Sequence, residues 1–189
     1  MTDTTAAPAP TTEPSTGLPL TPGRWDLDPN HFRVGFAVRH LGVSKVRGHF
    51  GAVEAALVVG ETPADTSVTA TVDIASIDTG NKDRDAHVLS PELLDVATRP
   101  TMTFRSTGIS GEGDEWALDG ELTIGDVTQP VTFEVELGGT EDFHDGVHAG
   151  FEARGELRRH DFGIHFGPLD KALGNVVRLE LDLEFLQPE

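Results

Sequence analysis

The chain has 189 residues and a formal net charge of −18, from 32 acidic against 14 basic side chains. That balance argues against nucleic acid, which needs clustered Lys and Arg, and against a polybasic grip on anionic lipid heads. The absence of Cys removes disulfides, thiolate catalysis and Cys-based zinc sites, and no apolar run of about 18 residues is present to form an integral membrane segment.

Residues 1–22 are rich in Thr, Pro and Ala and offer almost nothing to bury, so they read as a disordered tail before a domain over 23–189. The N-terminus has neither a basic n-region nor an apolar h-region, and the expected location is the cytoplasm. From Trp25 onward, apolar residues recur at every second position. Phe32, Val34, Phe36 and Val38 form the first set, Val53 to Val59 the second, Val68 to Ile74 the third, and Met102 with Phe104 the fourth. Trp116 to Ile124, Val131 to Leu137, Phe151 with Ala153, and Val177 to Phe185 complete about eight strands. Most are charged on the opposite face, as in antiparallel sheets with one solvated side. Eight such strands can close into an all-β antiparallel barrel, and a two-sheet sandwich gives the same alternation.

Two stretches break the pattern. "NKDRDAHVLSPELLDVATRP", residues 81–100, has no period of two. Ser90 as a cap, Pro91 at the first helical position and Glu92 in the first turn predict a short helix there. "DFGIHFGPLDKALGN" precedes the last strand, and long connections of this kind often carry function.

An eight-stranded barrel is either filled by its side chains or holds one small ligand. Ala55, Ala70, Gly120, Ala149, Ala153 and Gly155 are small candidates for the inner face. They leave room there or ease strand curvature. Few polar groups share that face, so an occupant should be mostly apolar, with a neutral head or a head left at the mouth. His40 is the exception, an imidazole in register after Phe36 and Val38. It reads as a neutral hydrogen-bonding group inside the cavity or as a core histidine bonded to backbone. "EDFHDGVH" resembles an acidic loop more than a metal site, and "HDFGIH" puts His160 and His165 five apart in a loop. No HExxH is present, and neither a nucleophile elbow nor a phosphate loop occurs. The expectation is therefore no metal, no cofactor and no catalysis.

The order of motifs brings a family into view. "FAVRHLGVSKVRGHF", residues 36–50, resembles the F-x-x-x-H-x-G-x-S-x-V-x-G-x-F opening of the YceI-like family. Thr79, Asn81, Arg84, Asp85, His87, Asp95, Pro100 and Phe104 are similar to its second block. Gly120, Leu122, Gly125 and Val131 are similar to the third, and "RHDFGI" with "LGNVVRLELDLEFL" to the last. The resemblance spans residues 24–186 in order. It implies an extended lipocalin-like antiparallel barrel of eight strands whose hydrophobic tunnel binds polyisoprenoid, quinone-type or related amphiphiles. Arg99 stands where that pattern usually has an aromatic, and the chain has no Tyr.

The expected partner is a hydrophobic small molecule, sequestered or carried rather than converted. The runner-up is a filled barrel serving as an interaction or stress-response module. The expected lining is Phe36, Val38, His40, Leu41, Phe50, Val72, Met102, Phe104, Trp116, Leu118, Phe133 and Phe151. Arg84, Asp85, His87 and Asp95 form either a clamp on a ligand head or a salt-bridged network, with Arg84 paired to Asp85 or Asp95. A homodimer is compatible with the sequence, which does not determine the oligomeric state.

Overall fold

The computed structural model describes residues 17–187. Its strands are β1 (Gly23–His40), β2 (Ser44–Phe50), β3 (Val53–Val59), β4 (Ser67–Asp73), β5 (Ile77–Asp78), β6 (Thr101–Glu112), β7 (Glu115–Ile124), β8 (Val127–Phe143), β9 (Gly146–Arg158) and β10 (Leu173–Gln187). The order β10-β9-β8-β7-β6-β4-β3-β1 closes on itself through β1–β10, making an eight-stranded antiparallel barrel. The extra strands are continuations. Gly23–Asp26 pair with Ala56–Val59, and Val34–His40 pair with Ser44–Phe50, so β2 and β3 are one stave interrupted at Gly51–Ala52. A one-turn 3₁₀ segment, Ile74–Ser76, likewise separates β4 from β5.

Among the described residues, β2 has a second strand partner only at His49 and Phe50, which meet β5. The sheet is therefore open on one side along Ser44–Gly48. At the other end the barrel is plugged. Trp25, fully buried, packs with Leu57, Val59, Leu137, Ala149 and Phe185. A second cluster of Ile74, Leu93, Ile124, Phe162 and Ile164 anchors the irregular connections at the open end.

Helix α1 is Lys82–Leu89, upstream of the expected one. Asn81 caps it by accepting from the Arg84 amide at 3.0 Å, and Asp83 and Asp85 sit in its first turn. Ser90 ends the helix instead of starting one: its amide and hydroxyl both donate to the His87 carbonyl. The chain then turns so that Leu93 can enter the second cluster.

The boundary expected at residue 22 also moves. Residues 1–16 lie outside the described residues. Leu20 belongs to the Trp25 cluster, Leu18 packs against it, and the Trp25 indole donates to the Thr21 carbonyl at 3.0 Å. Deleting residues 1–22 should therefore lower Tm by several degrees, since burial of one leucine is worth about 1.5–3 kcal/mol. Deletion of 1–22 with no change in the melting curve would contradict this account.

Two inward glycines prove not to be empty space. A Cβ at Gly120 would lie 2.3 Å from the Phe104 ring, and one at Gly155 would lie 2.9 Å from the Phe133 ring. Each ring lies over the glycine of a neighbouring strand, and the two rings meet edge to face at 5.6 Å.

Candidate functional site

The interior of the barrel is a cavity of about 940 Å³, near the upper end of the roughly 300–1,000 Å³ typical of small-molecule sites. Its walls are the inner faces of the staves. Val34, Phe36 and Val38 of β1 are followed by Ala55 and Leu57 of β3, Val68, Ala70 and Val72 of β4, and Met102 and Phe104 of β6. Trp116, Leu118, Phe133, Val135, Phe151 and Ala153 follow, and Val177 to Phe185 of β10 close the ring. Alternation explains why these residues converge, because each stave turns every second side chain inward.

The small residues divide by position. Ala55 and Ala70 are cross-strand partners, half-buried on the cavity wall. Ala149 is fully buried in the plug, and Ala153 is buried beneath its neighbours. The free space thus lies beside Ala55 and Ala70.

Polar groups gather where the sheet is open. Exposed His40, Ser44, Lys45 and Arg47 come from the β1–β2 hairpin, and Asp83, Arg84 and His87 from α1. The cavity reaches solvent between them. His40 keeps the inward register expected of it but is exposed at this rim, not enclosed. It is the last residue of β1, where the barrel no longer closes over it. Leu41 departs from the expected lining. It lies past the strand end, in a turn with φ of 52°, and is 62% exposed. Every other expected lining residue is on the cavity wall.

Comparison with known proteins follows the geometry. The family model of the YceI-like domain matches residues 25–185. Protein YceI of Salmonella arizonae is 37% identical over 159 residues, covering 82% of this chain and 83% of the relative. The chain belongs to the YceI-like family. Among solved structures, Burkholderia cenocepacia BcnA superposes with a TM-score of 0.75 at 22% identity, covering 84% of this chain and 99% of its own. The Campylobacter jejuni YCEI protein gives 0.71 at 27% identity, with 80% and 90% covered. A polyisoprenoid-binding domain from Saccharophagus degradans gives 0.65 at 13%, with 87% and 98% covered.

In this YceI-like chain the second-block polar residues do not form one cluster. Arg84 pairs with neither Asp85 nor Asp95. Thr79 stands between Arg84 and Asp85: its hydroxyl donates to Asp85 at 2.5 Å and accepts from Arg84 Nε at 2.8 Å, while Arg84 Nη2 donates to the Thr79 carbonyl at 2.7 Å. Asp85 also accepts the Thr79 amide at 2.9 Å. His87 bonds Glu92 across the helix end at 2.9 Å. Asp95, at φ 47°, accepts from Thr98 at 2.5 Å and does not line the cavity. Arg99 lays its stem over Gly125 and donates to the Leu93 carbonyl at 3.0 Å.

Arg159 carries no role in the sequence reading, yet it is the most heavily bonded side chain at the open end. It is buried and lines the cavity. Its guanidinium donates to the carbonyls of Ile164, Asp170, Leu173 and Gly174 and to the Asp170 carboxylate at 2.6 Å. The Arg159 guanidinium, with the Phe166 amide, holds the Asp170 carboxyl well below the usual carboxylate range.

Two groups of the YceI-like barrel, among the described residues, gather donor atoms within 4.8 Å of one another: Asp28, His148 and Glu184, and His160, His165 and Asp170. In the second, the imidazoles stack at 4.7 Å and Asp170 is engaged by Arg159, so the set is organised around the guanidinium. In the first, His148 Nε2 meets Asp145 at 2.8 Å and Nδ1 meets Glu184 at 2.6 Å, the geometry of an imidazolium donating from both nitrogens. Asp145 first, then Glu184, raises His148 above its ordinary 6.5, and Asp28 does the same for His31. In return His31, with the Asn30 amide, holds Asp28 below its ordinary 3.8, and His148 holds Asp145 below it.

The sign of the linkage follows. The histidines stabilise fully below about pH 6.5, and that contribution disappears as pH rises through their raised folded values. The carboxylates stabilise above about 3.8, and that part is lost as pH falls through their lowered values. Tm should therefore be highest in the mildly acidic range and decline toward alkaline pH, with His148→Gln flattening the alkaline limb. An unaltered limb in His148→Gln would remove the cluster from the explanation.

Proposed function

We propose that this protein binds one apolar amphiphile of the polyisoprenoid class, quinone-like and fatty chains sharing the same chemistry, and carries or sequesters it without converting it. The observation that supports this reading is the cavity itself, an apolar tunnel lined by Ala55 and Ala70 among larger apolar side chains and ending in a polar rim. Each buried methylene is worth about 0.8 kcal/mol, so a chain of several isoprene units gives micromolar or tighter binding after ordering costs. The solved Saccharophagus degradans domain described as polyisoprenoid-binding shares the fold. The rim favours a head that accepts hydrogen bonds or carries negative charge. Lys45, Arg47 and Arg84 stand there against Asp83, which differs from the neutral head expected of the inner face alone.

Organic extraction of the purified protein, followed by mass spectrometry, is the test. A stoichiometric prenyl lipid is the expected result. A clean extract, together with no thermal shift on adding a prenyl alcohol or prenyl phosphate in detergent, would favour a filled or ligand-free barrel instead.

A further inference from the structure

The net charge conceals a strong segregation. Between Asp28 and Glu54 the chain has no acidic residue, although 32 occur overall, and Arg33, Arg39, Lys45 and Arg47 all fall in that stretch. This is the β1–β2 hairpin. Arg39, Lys45 and Arg47 are exposed, and among the described residues no carboxylate lies within salt-bridge distance of any of them. On a protein of net charge −18, unneutralised cations at one place form a distinct surface.

The hairpin tip between these cations is apolar and directed outward. Leu41 is 62% and Val43 81% exposed. The tip is held in shape, with the Val43 amide donating to the His40 carbonyl at 3.1 Å and the Leu41 amide to the Ala172 carbonyl at 2.7 Å. The segment reached by that second bond, Gly167–Ala172, adds Leu169, 62% exposed, and exposed Lys171. A lone exposed leucine needs no explanation. Three apolar side chains among unpaired cations, at the rim of an apolar tunnel, are the arrangement that seats a protein in a lipid interface.

We propose that the β1–β2 hairpin tip docks the barrel, mouth first, on a bilayer bearing anionic head groups, so that an apolar ligand passes between membrane and tunnel without crossing water. The inference rests on the lipid-binding reading above. Leu41, Val43 and Leu169 enter the head-group region, and Arg39, Lys45, Arg47 and Lys171 face the lipid phosphates. Of the acidic groups at this end, Asp170 is held by Arg159 and His160 and Glu92 is paired with His87, whereas Asp83 and Asp78 are exposed and oppose docking. The acidic remainder of the surface is repelled from the same membrane, which selects this orientation over others.

Co-sedimentation of the full chain with vesicles tests this. At low salt it should pellet with vesicles of phosphatidylcholine and phosphatidylglycerol and stay in solution with phosphatidylcholine alone. The double variant Leu41→Asp/Val43→Asp should not pellet, and Arg39→Gln should partition about fivefold more weakly, as one basic contact is lost. The double variant should still take up a prenyl alcohol presented in detergent as the native chain does. Native protein that takes up the alcohol but pellets with neither vesicle overturns the docking inference and leaves the cavity reading intact. Pelleting with the anionic vesicles but no uptake overturns the cavity reading and, with it, the passage of ligand, while the docking itself stands. Equal pelleting of the double variant, or a native dimer in size exclusion that this variant abolishes, also overturns the docking inference.

Discussion

Replacing Arg159 with Met should lower Tm on the order of 10 °C, because it removes the buried partner of a half-buried ion pair together with four hydrogen bonds to backbone carbonyls, on the order of 3–5 kcal/mol in a domain of this size. The expected loss is large for a geometric reason. Every N–H of the guanidinium has an acceptor, and those acceptors come from Ile164, Asp170, Leu173 and Gly174. One side chain thereby fixes two 3₁₀ turns, Arg159–Phe162 and Gly167–Ala172, and the entry to β10. Without it, buried carbonyls lose their donors and the Asp170 carboxylate loses its cation. Arg159→Lys should fall between, since an ammonium cannot reach all these acceptors in a fork. A thermal melt of Arg159→Met within about 2 °C of the native chain, less than 1 kcal/mol at this size, would refute the clamp.

The double variant Ala55→Phe/Ala70→Phe should reduce prenyl uptake by at least about tenfold, because excluding only two methylenes at ~0.8 kcal/mol each already costs that much affinity. The two alanines are directly opposite each other across β3 and β4 on the cavity wall, so two rings at this level narrow the tunnel, next to the point where Ala55 meets the Trp25 cluster. Ala153→Phe is the informative contrast. Ala153 is 5% exposed and sits under Val131 and Phe133, so a ring there overpacks the wall at about 1–3 kcal/mol. Titration with a fluorescent prenyl analogue, with melting curves in parallel, separates the cases. Undiminished uptake by the double variant would place the ligand elsewhere.

The barrel was legible in the sequence because a period of two survives any tertiary context that buries one face. Leu41 as a lining residue goes against that period, since it is out of step with Phe36, Val38 and His40; the strand ends at His40, and the left-handed turn carries Leu41 outside. His40 shows a related limit: its face was readable, whereas its depth depends on where β2 loses its outer partner. The helix moved because Asn81 and Ser90 are both competent caps in isolation. What separates them is that Leu93 and Leu94 must reach the second cluster just after Ser90. Arg159 opens the "RHDFGI" motif, but its role was not readable because nearly all its acceptors are backbone carbonyls, which no side-chain pattern encodes. Asp28, His148 and Glu184 are far apart in the chain and become neighbours only through the β1–β10–β9 adjacency.

The rings over Gly120 and Gly155 bear on how such a barrel can diverge. Each ring and its glycine belong to different strands and share one volume. A methyl group acquired at Gly120 is harmful while Phe104 remains, and shrinking that residue removes the ring clash but leaves the Arg105 carbonyl, 2.7 Å from the same point, for the backbone to accommodate. Neither position is free to drift alone, and the order in which two changes arise decides whether the intermediate folds. Positions 104 and 120, and likewise 133 and 155, should therefore evolve as linked pairs, with tunnel calibre inherited two residues at a time.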